Sequence, residues 1–198
     1  MSDCAGCGSA NAATLSPPTE SVAGAFRLVA IVGPPNSGKS TLFNQLTGMR
    51  QKVANFPGVT VEHRLGKARL EDGREIAIVD LPGVYGLSSR SEDEKVAHDV
   101  LNGCRPEVGR PDAVLLILDS TNLERHLLLA APVLSMGLPT LVILNMADDL
   151  RGRHGHVDLG ALSRQLGAPV VLASAVRGEG LDEVRRFLTA GLPARKAY

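Results

Sequence analysis

Eight residues, Gly33-Pro34-Pro35-Asn36-Ser37-Gly38-Lys39-Ser40, constrain this chain more than any other stretch. They follow an apolar run at 26–32 and precede a helical pattern running from Lys39 to about Thr47. The pattern G-x-x-x-x-G-K-[ST] between a strand and a helix is a phosphate cradle. Its glycines let backbone N–H groups turn inward around anionic oxygens, and the helix offers its positive end to the same anion. Loop 33–41, ending at Thr41, is therefore expected to hold nucleotide phosphates. Lys39 is placed to reach the β- and γ-phosphates and Ser40 to ligate Mg²⁺.

The rest of the chain repeats strand and helix. Strands are expected at 61–70 and 75–79, joined by the turn Glu71-Asp72-Gly73-Arg74, then at 113–118, 140–144 and 169–172. Helices are expected at 92–101, 122–136, 158–166 and 181–188. This alternation predicts an α/β fold: a six-stranded mixed sheet, with one antiparallel edge strand and helices on both faces. Residues 1–24 are rich in Ala, Gly, Ser and Pro and read as a disordered tail, leaving 25–198 as one domain. The segment 127–146 carries 20 uncharged residues, a membrane-spanning length. Pro132, Gly137 and Pro139 divide it, so a helix, a turn and a strand are expected instead.

The 21 basic and 21 acidic residues balance, so no basic field points to nucleic acid or a membrane surface. Three cysteines make no disulfide framework. Cys4-x-x-Cys7 alone is a poor zinc site, and Cys104 stands apart. His154-Gly155-His156 reads as a solvated loop, and His63 and His126 are expected on surface or helix faces. Glu92-Asp93-Glu94 is better read as helix N-terminal charge than as an iron site.

Three further motifs complete the chemistry. Asp80-Leu81-Pro82-Gly83 closes a strand 40 residues after Ser40. Its Asp can hold Mg²⁺ through water, and the Gly83 N–H can meet a γ-phosphate. Thr60, in Gly58-Val59-Thr60, can add a metal ligand when γ-phosphate is present, which would make its loop a switch. Asn145-Met146-Ala147-Asp148 follows an apolar strand. The Asp148 carboxylate can accept from the N1–H and amino group of guanine, a donor pair adenine lacks. Asn145 would tie this base loop to the phosphate loop, and the Ser174-Ala175-Val176 backbone would approach the base.

In wording as well as order, these elements resemble the cytosolic GTPase domain of FeoB, the bacterial ferrous iron transporter. The residues that carry the resemblance are GPPNSGKSTLFNQLTG, NFPGVTVE, DLPGVYGLSSRSEDE, DSTNLERHLLL and NMAD, followed by VDLGALSRQLGAPVVLASAVRGEGL. Met146, where other GTPases commonly have Lys, and the GVTVE loop are the family-specific parts. The resemblance implies a Ras-like P-loop fold that binds and slowly hydrolyses GTP to GDP with Mg²⁺. Lys39, Thr60 and Gly83 would serve the reaction, and Ser40, Thr60 and Asp80 the metal. Asn36 would be a ligand for K⁺. Val84 takes the place of a catalytic Gln, hence slow hydrolysis. The resemblance also implies a parent protein at the cytoplasmic face of the bacterial inner membrane. Its transmembrane iron-permease region and small cytosolic accessory proteins would be partners. The helical and transmembrane domains usual in the family do not follow within this sequence. Three alternatives stand beside this reading. One is a nucleotide-gated module with negligible hydrolysis. Another is an Era-like GTPase, disfavoured by the neutral charge and the lack of a basic RNA-binding domain. The third is an ATPase, against which Asp148 speaks.

Overall fold

The computed structural model of the chain describes residues 26–48, 51–57 and 59–191. The tail expected at 1–24, with Cys4 and Cys7, and the loop residue Gly58 lie outside the described residues. The strands are β1 (Leu28–Val32), β2 (Gln51–Asn55), β3 (Glu62–Arg69), β4 (Glu75–Asp80), β5 (Ala113–Asp119), β6 (Thr140–Asn145) and β7 (Val170–Leu172). They form one sheet in the order β2-β3-β4-β1-β5-β6-β7. The helices are α1 (Lys39–Thr47), α2 (Glu92–Leu101), α3 (Leu123–Ser135), α4 (Ala147–Gly152), α5 (Leu159–Leu166) and α6 (Leu181–Ala190).

The sheet has seven strands among the described residues, not six. The addition is β2, antiparallel to β3 in the register Val53 with Arg64. Residues 52–55 of β2 are exposed, Val53 by 56%. An edge strand that buries no face has no alternation to reveal it, and Lys52 is the kind of residue that keeps such an edge from pairing further. As a result the antiparallel strand, β3, is not at the edge but one place in, paired with both β2 and β4.

Alternating side chains build two cores. Val29, Ile31, Leu115, Ile117 and Ile143 pack with Phe43 of α1 and Val184 of α6 on one face. Ala30, Val32, Leu116, Leu118 and Val142 pack with Val96 of α2, Leu129 of α3 and Leu162 of α5 on the other. Being covered on both sides, β5 is buried at all of its positions, which explains its continuous apolar run. The uncharged segment 127–146 is the C-terminal part of α3, a turn containing Gly137 and Pro139, and β6; Pro132 does not divide it as expected but lies inside α3. Among the described residues, no helix is long and apolar enough to cross a membrane.

His126 lies on a helix face, as expected, but a buried one, whereas His63 is buried on strand β3, on neither the surface nor a helix as expected. His126 sits on the inner side of α3, where its Nδ1 accepts from the Asp119 N–H at 3.0 Å. His63 lies against Phe56, with ring centres 4.3 Å apart. His154 and His156 are exposed, as expected of a loop. The three acidic residues at 92–94 occupy the first turn of α2, capped by Ser91, whose Oγ accepts from the Glu94 N–H at 3.1 Å.

β1 is the switch point of this sheet. It pairs in parallel with β4 on one side and with β5 on the other. A crevice opens at the carboxyl ends of strands that diverge in this way, and the 33–41 loop leaves β1 directly into it.

Candidate nucleotide-binding site

The loop after β1 owes its shape to close backbone approach. A Cβ on Gly33 would collide with the Ile117 carbonyl of β5, so only glycine lets β1 turn there. Gly38, with φ of 93°, N-caps α1 in the left-handed region, and a Cβ on it would collide with the Asn145 amide. Asn36 is also left-handed, with φ of 62°, a conformation Asn tolerates better than most residues. The Pro34 carbonyl gathers the loop, accepting from Ser37 Oγ at 2.9 Å and from Lys39 Nζ at 2.8 Å.

Lys39 is buried to 8% exposure. Burial lowers its pKa, and the neighbouring Asp80 carboxylate works the other way. Asp80 mirrors it. Burial raises its pKa, against the opposing pull of Lys39, Arg64 and the Ser40 hydroxyl. Ser40 Oγ donates to Asp80 Oδ2 at 3.4 Å, bringing together the end of β4 and the start of α1. The other oxygen, Asp80 Oδ1, is buried without a hydrogen-bond partner. A hydroxyl and a carboxylate with a free buried oxygen form a hard oxygen donor set that suits a hydrated Mg²⁺. Gly83 follows at van der Waals distance. A Cβ there would stand 3.0 Å from Pro35 Cα and 3.1 Å from Lys39 Nζ.

On the other side, Asn145 staples the base loop to the phosphate loop. Its Nδ2 donates to the Ser37 carbonyl at 2.8 Å, and its Oδ1 accepts from the Ala175 N–H at 2.9 Å. It is only 4% exposed. Asn145→Ala orphans both partners and is expected to cost about 2–4 kcal/mol of stability, read as a lower Tm in thermal denaturation. Met146, left-handed at φ of 65°, turns the chain into α4 and places Asp148 at the rim. The nearby Ser174 hydroxyl, whose buried Oγ has no hydrogen-bond partner, first, then a backbone N–H and Arg177 hold the Asp148 carboxyl below its usual range, with Arg177 Nε 3.5 Å from Oδ2.

A cavity of about 460 Å³ joins the two halves. Asn36, Gly38, Lys39, Ser40 and Thr41 line it from the phosphate loop, and Asn145, Met146 and Asp148 line it from the base loop, with Ser174, Ala175 and Val176 beside them. Asp149 also lines it. Sequence reading passed over Asp149 and Arg177, although Asp149 stands next to Asp148 in the chain and Arg177 next to Val176. Gly33, Pro34, Pro35, Ser37, Asp80, Leu81, Pro82 and Gly83 are not part of that lining. Leu81 is core, extending the β1–β4 ladder through its N–H to the Ile31 carbonyl at 3.1 Å. Val59 is half-buried and Thr60 is exposed, and neither lines the cavity.

The family profile of ferrous iron transport protein B matches residues 27–188. The chain belongs to that family. The Fe(2+) transporter FeoB of Leptospira biflexa is 44% identical over 168 residues, and that of Salmonella typhimurium 42% over 162. These matches cover 85% and 79% of this chain but only 24% and 20% of the relatives, so the chain spans about a quarter of their length or less. Among solved structures, a GDP-bound mutant of S. thermophilus NFeoB superposes with a TM-score of 0.77 at 38% identity, over 87% of this chain and 64% of that one. The cytosolic domain of T. maritima FeoB in its GMPPNP form gives 0.76 at 40%, over 82% and 62%. The Methanococcus jannaschii FeoB G-domain gives 0.69 at 34%, over 82% and 95%. This FeoB domain therefore has the Ras-like P-loop GTPase fold.

Proposed function

We propose that this FeoB domain binds GTP and GDP with Mg²⁺ and slowly hydrolyses the β–γ bond of GTP. The observation that carries the reading is the single cavity lined by Lys39 and Ser40 at one end and Asp148 at the other, with Asn145 bonded to both loops. Asp148 reads the guanine edge, while backbone N–H groups of the 33–41 loop and the Lys39 ammonium stabilise phosphate charge. The Ser174-Ala175-Val176 backbone closes on the base. Ser40 and Asp80 would hold Mg²⁺, joined by Thr60 in the triphosphate state. That ion would neutralise charge on the β- and γ-phosphates. Gly83, whose neighbours are Pro35 and Lys39, would sense the γ-phosphate through its N–H, and Gly58 and Val59 belong to the loop that carries Thr60.

The Val84 side chain is 2% exposed and packed in the core, while its N–H donates to the Gly33 carbonyl at 3.1 Å. It has neither the chemistry nor the position to orient an attacking water. That supports slow hydrolysis, and it equally favours a second reading, a nucleotide-gated module with negligible turnover. The side chain of Asn36, which lines the cavity, would hold K⁺, an ion that supplies positive charge beside the reacting phosphate. Single-turnover GTP hydrolysis measured in potassium and in sodium separates the two readings. The expected result is roughly ten- to a hundredfold faster cleavage in potassium, lost in Asn36→Ala. No measurable cleavage in either salt would leave only the gated module.

By kinship, the domain would be the cytosolic nucleotide switch of a ferrous iron transporter at the bacterial inner membrane. It would act on a transmembrane permease region, with small cytosolic accessory proteins as further partners.

A further inference from the structure

Arg105 follows α2, in the turn that leads to β5, and reaches back 48 residues to the loop that carries Thr60. Its Nη1 donates to the Pro57 carbonyl at 3.4 Å, and its guanidinium carbon stands 5.7 Å from the centre of the Phe56 ring. Asp99, in the last turn of α2, holds the guanidinium from the other side, Oδ2 to Nη2 at 3.4 Å, and Glu107 Oε1 lies 3.9 Å from Nη1. The turn is closed by backbone hydrogen bonds on either side of Arg105. The Val108 and Gly109 N–H groups both donate to the Arg105 carbonyl, and the Cys104 N–H donates to the Asp99 carbonyl. Arg105 is only 16% exposed, so these contacts are less screened than those of a free surface arginine.

What Arg105 grips is the root of the Thr60 loop. Phe56 is buried at 1% exposure, and its N–H donates to the Val61 carbonyl at 2.9 Å, closing the turn that contains Thr60. At the opposite end of α2, the Glu94 carboxylate accepts from Ser88 Oγ at 2.9 Å and from the Arg90 N–H at 3.1 Å, in the segment that follows Gly83. One helix therefore holds both segments that must meet at a γ-phosphate, while Thr60 stays exposed, outside the cavity.

We propose that Arg105 is a positioning residue that fastens the Phe56-Pro57 turn to α2, holds Thr60 withdrawn, and so sets how strongly the site prefers a nucleoside triphosphate over a diphosphate. The proposal rests on the reading of the cavity as a guanine-nucleotide site. A diphosphate has no γ-phosphate for Thr60 to approach, so it binds the withdrawn and closed loops alike. A triphosphate favours the closed loop and must work against the Arg105 contacts.

The test uses the full chain with Mg²⁺ and measures Kd for GDP and for a non-hydrolysable GTP analogue by fluorescence titration. In Arg105→Gln the analogue is expected to bind about three- to tenfold tighter, with GDP affinity unchanged. Asp99→Asn, which loosens the same guanidinium, is expected to move the ratio in the same direction by less. It carries the test if the Arg105 variant melts early. A residue that merely stabilised the fold would move both affinities together. An analogue-to-GDP ratio that stays constant or falls in both variants overturns the proposal. A wild-type chain that binds neither nucleotide overturns instead the reading of the cavity on which it rests.

Discussion

Asp148→Asn is expected to weaken GDP binding by about a hundredfold or more and to make the protein prefer xanthosine diphosphate. A carboxylate accepts from both the N1–H and the amino group of guanine. An amide presents one acceptor and one donor, and its N–H₂ then faces the guanine amino group. Xanthine carries an oxygen where guanine carries that amine, so the same amide pairs with it. The environment of Asp148 favours the charged form: the nearby Ser174 hydroxyl, then a backbone N–H and the Arg177 guanidinium, lower its pKa. Asp148 sits half-buried at the rim and closes no core hydrogen bond, so the variant should keep the wild-type Tm. Competition titrations with the two diphosphates read the change. If GDP affinity is unaltered, Asp148 does not touch the base.

Lys39→Ala is expected to lower affinity for a GTP analogue by roughly a hundred- to a thousandfold and to abolish hydrolysis. Nζ is already desolvated and anchored on the Pro34 carbonyl, so binding phosphate costs it little further dehydration. It also stands next to Asp80, where it is the leading charge opposing the upward pull of burial on that carboxyl. Removing it therefore harms the metal side of the site as well as the phosphate side. Lys39→Arg should not rescue. A planar guanidinium is larger than an ammonium and lacks its point-charge geometry, and on the Gly83 side even an added Cβ would stand 3.1 Å from Nζ. Equilibrium binding of the analogue and single-turnover assays give the two numbers. An arginine variant with wild-type affinity would mean that the pocket tolerates any cation and that the close packing of Gly83 has no role.

The parts of this molecule that were legible in the sequence are those where burial or backbone geometry dictates the residue. β5 could be read because both of its faces are covered, and α2 because Ser91 caps it ahead of an acidic first turn. The phosphate loop could be read because the close approach of Ile117 and the left-handed turn at Gly38 admit only glycine. Where neither constraint acts, the pattern is silent. β2 is a strand by pairing alone, with an exposed Val53 as its main apolar residue. α4 is a short helix overlapping the Asn145–Asp148 motif, burying only Ala147 and Leu150, too few to show a period. His63 was misplaced because a single His carries no directional signal. The residues of the candidate site could be named one by one, but the contacts that hold its two loops together span long distances in sequence, such as Asn145 to Ser37 across 108 residues. The grip of Arg105 on Pro57 had no signature at all, because it depends on a turn that ends far from either motif.

The most direct test of guanine-nucleotide binding is a displacement titration on the wild-type chain with Mg²⁺, in which GTP, GDP and ATP compete against a fluorescent GDP. GTP and GDP should displace the probe while ATP, at a hundredfold higher concentration, leaves it bound. Displacement by ATP at the same concentrations as GTP would contradict the account, because a cavity that ignores the guanine edge is not read by Asp148.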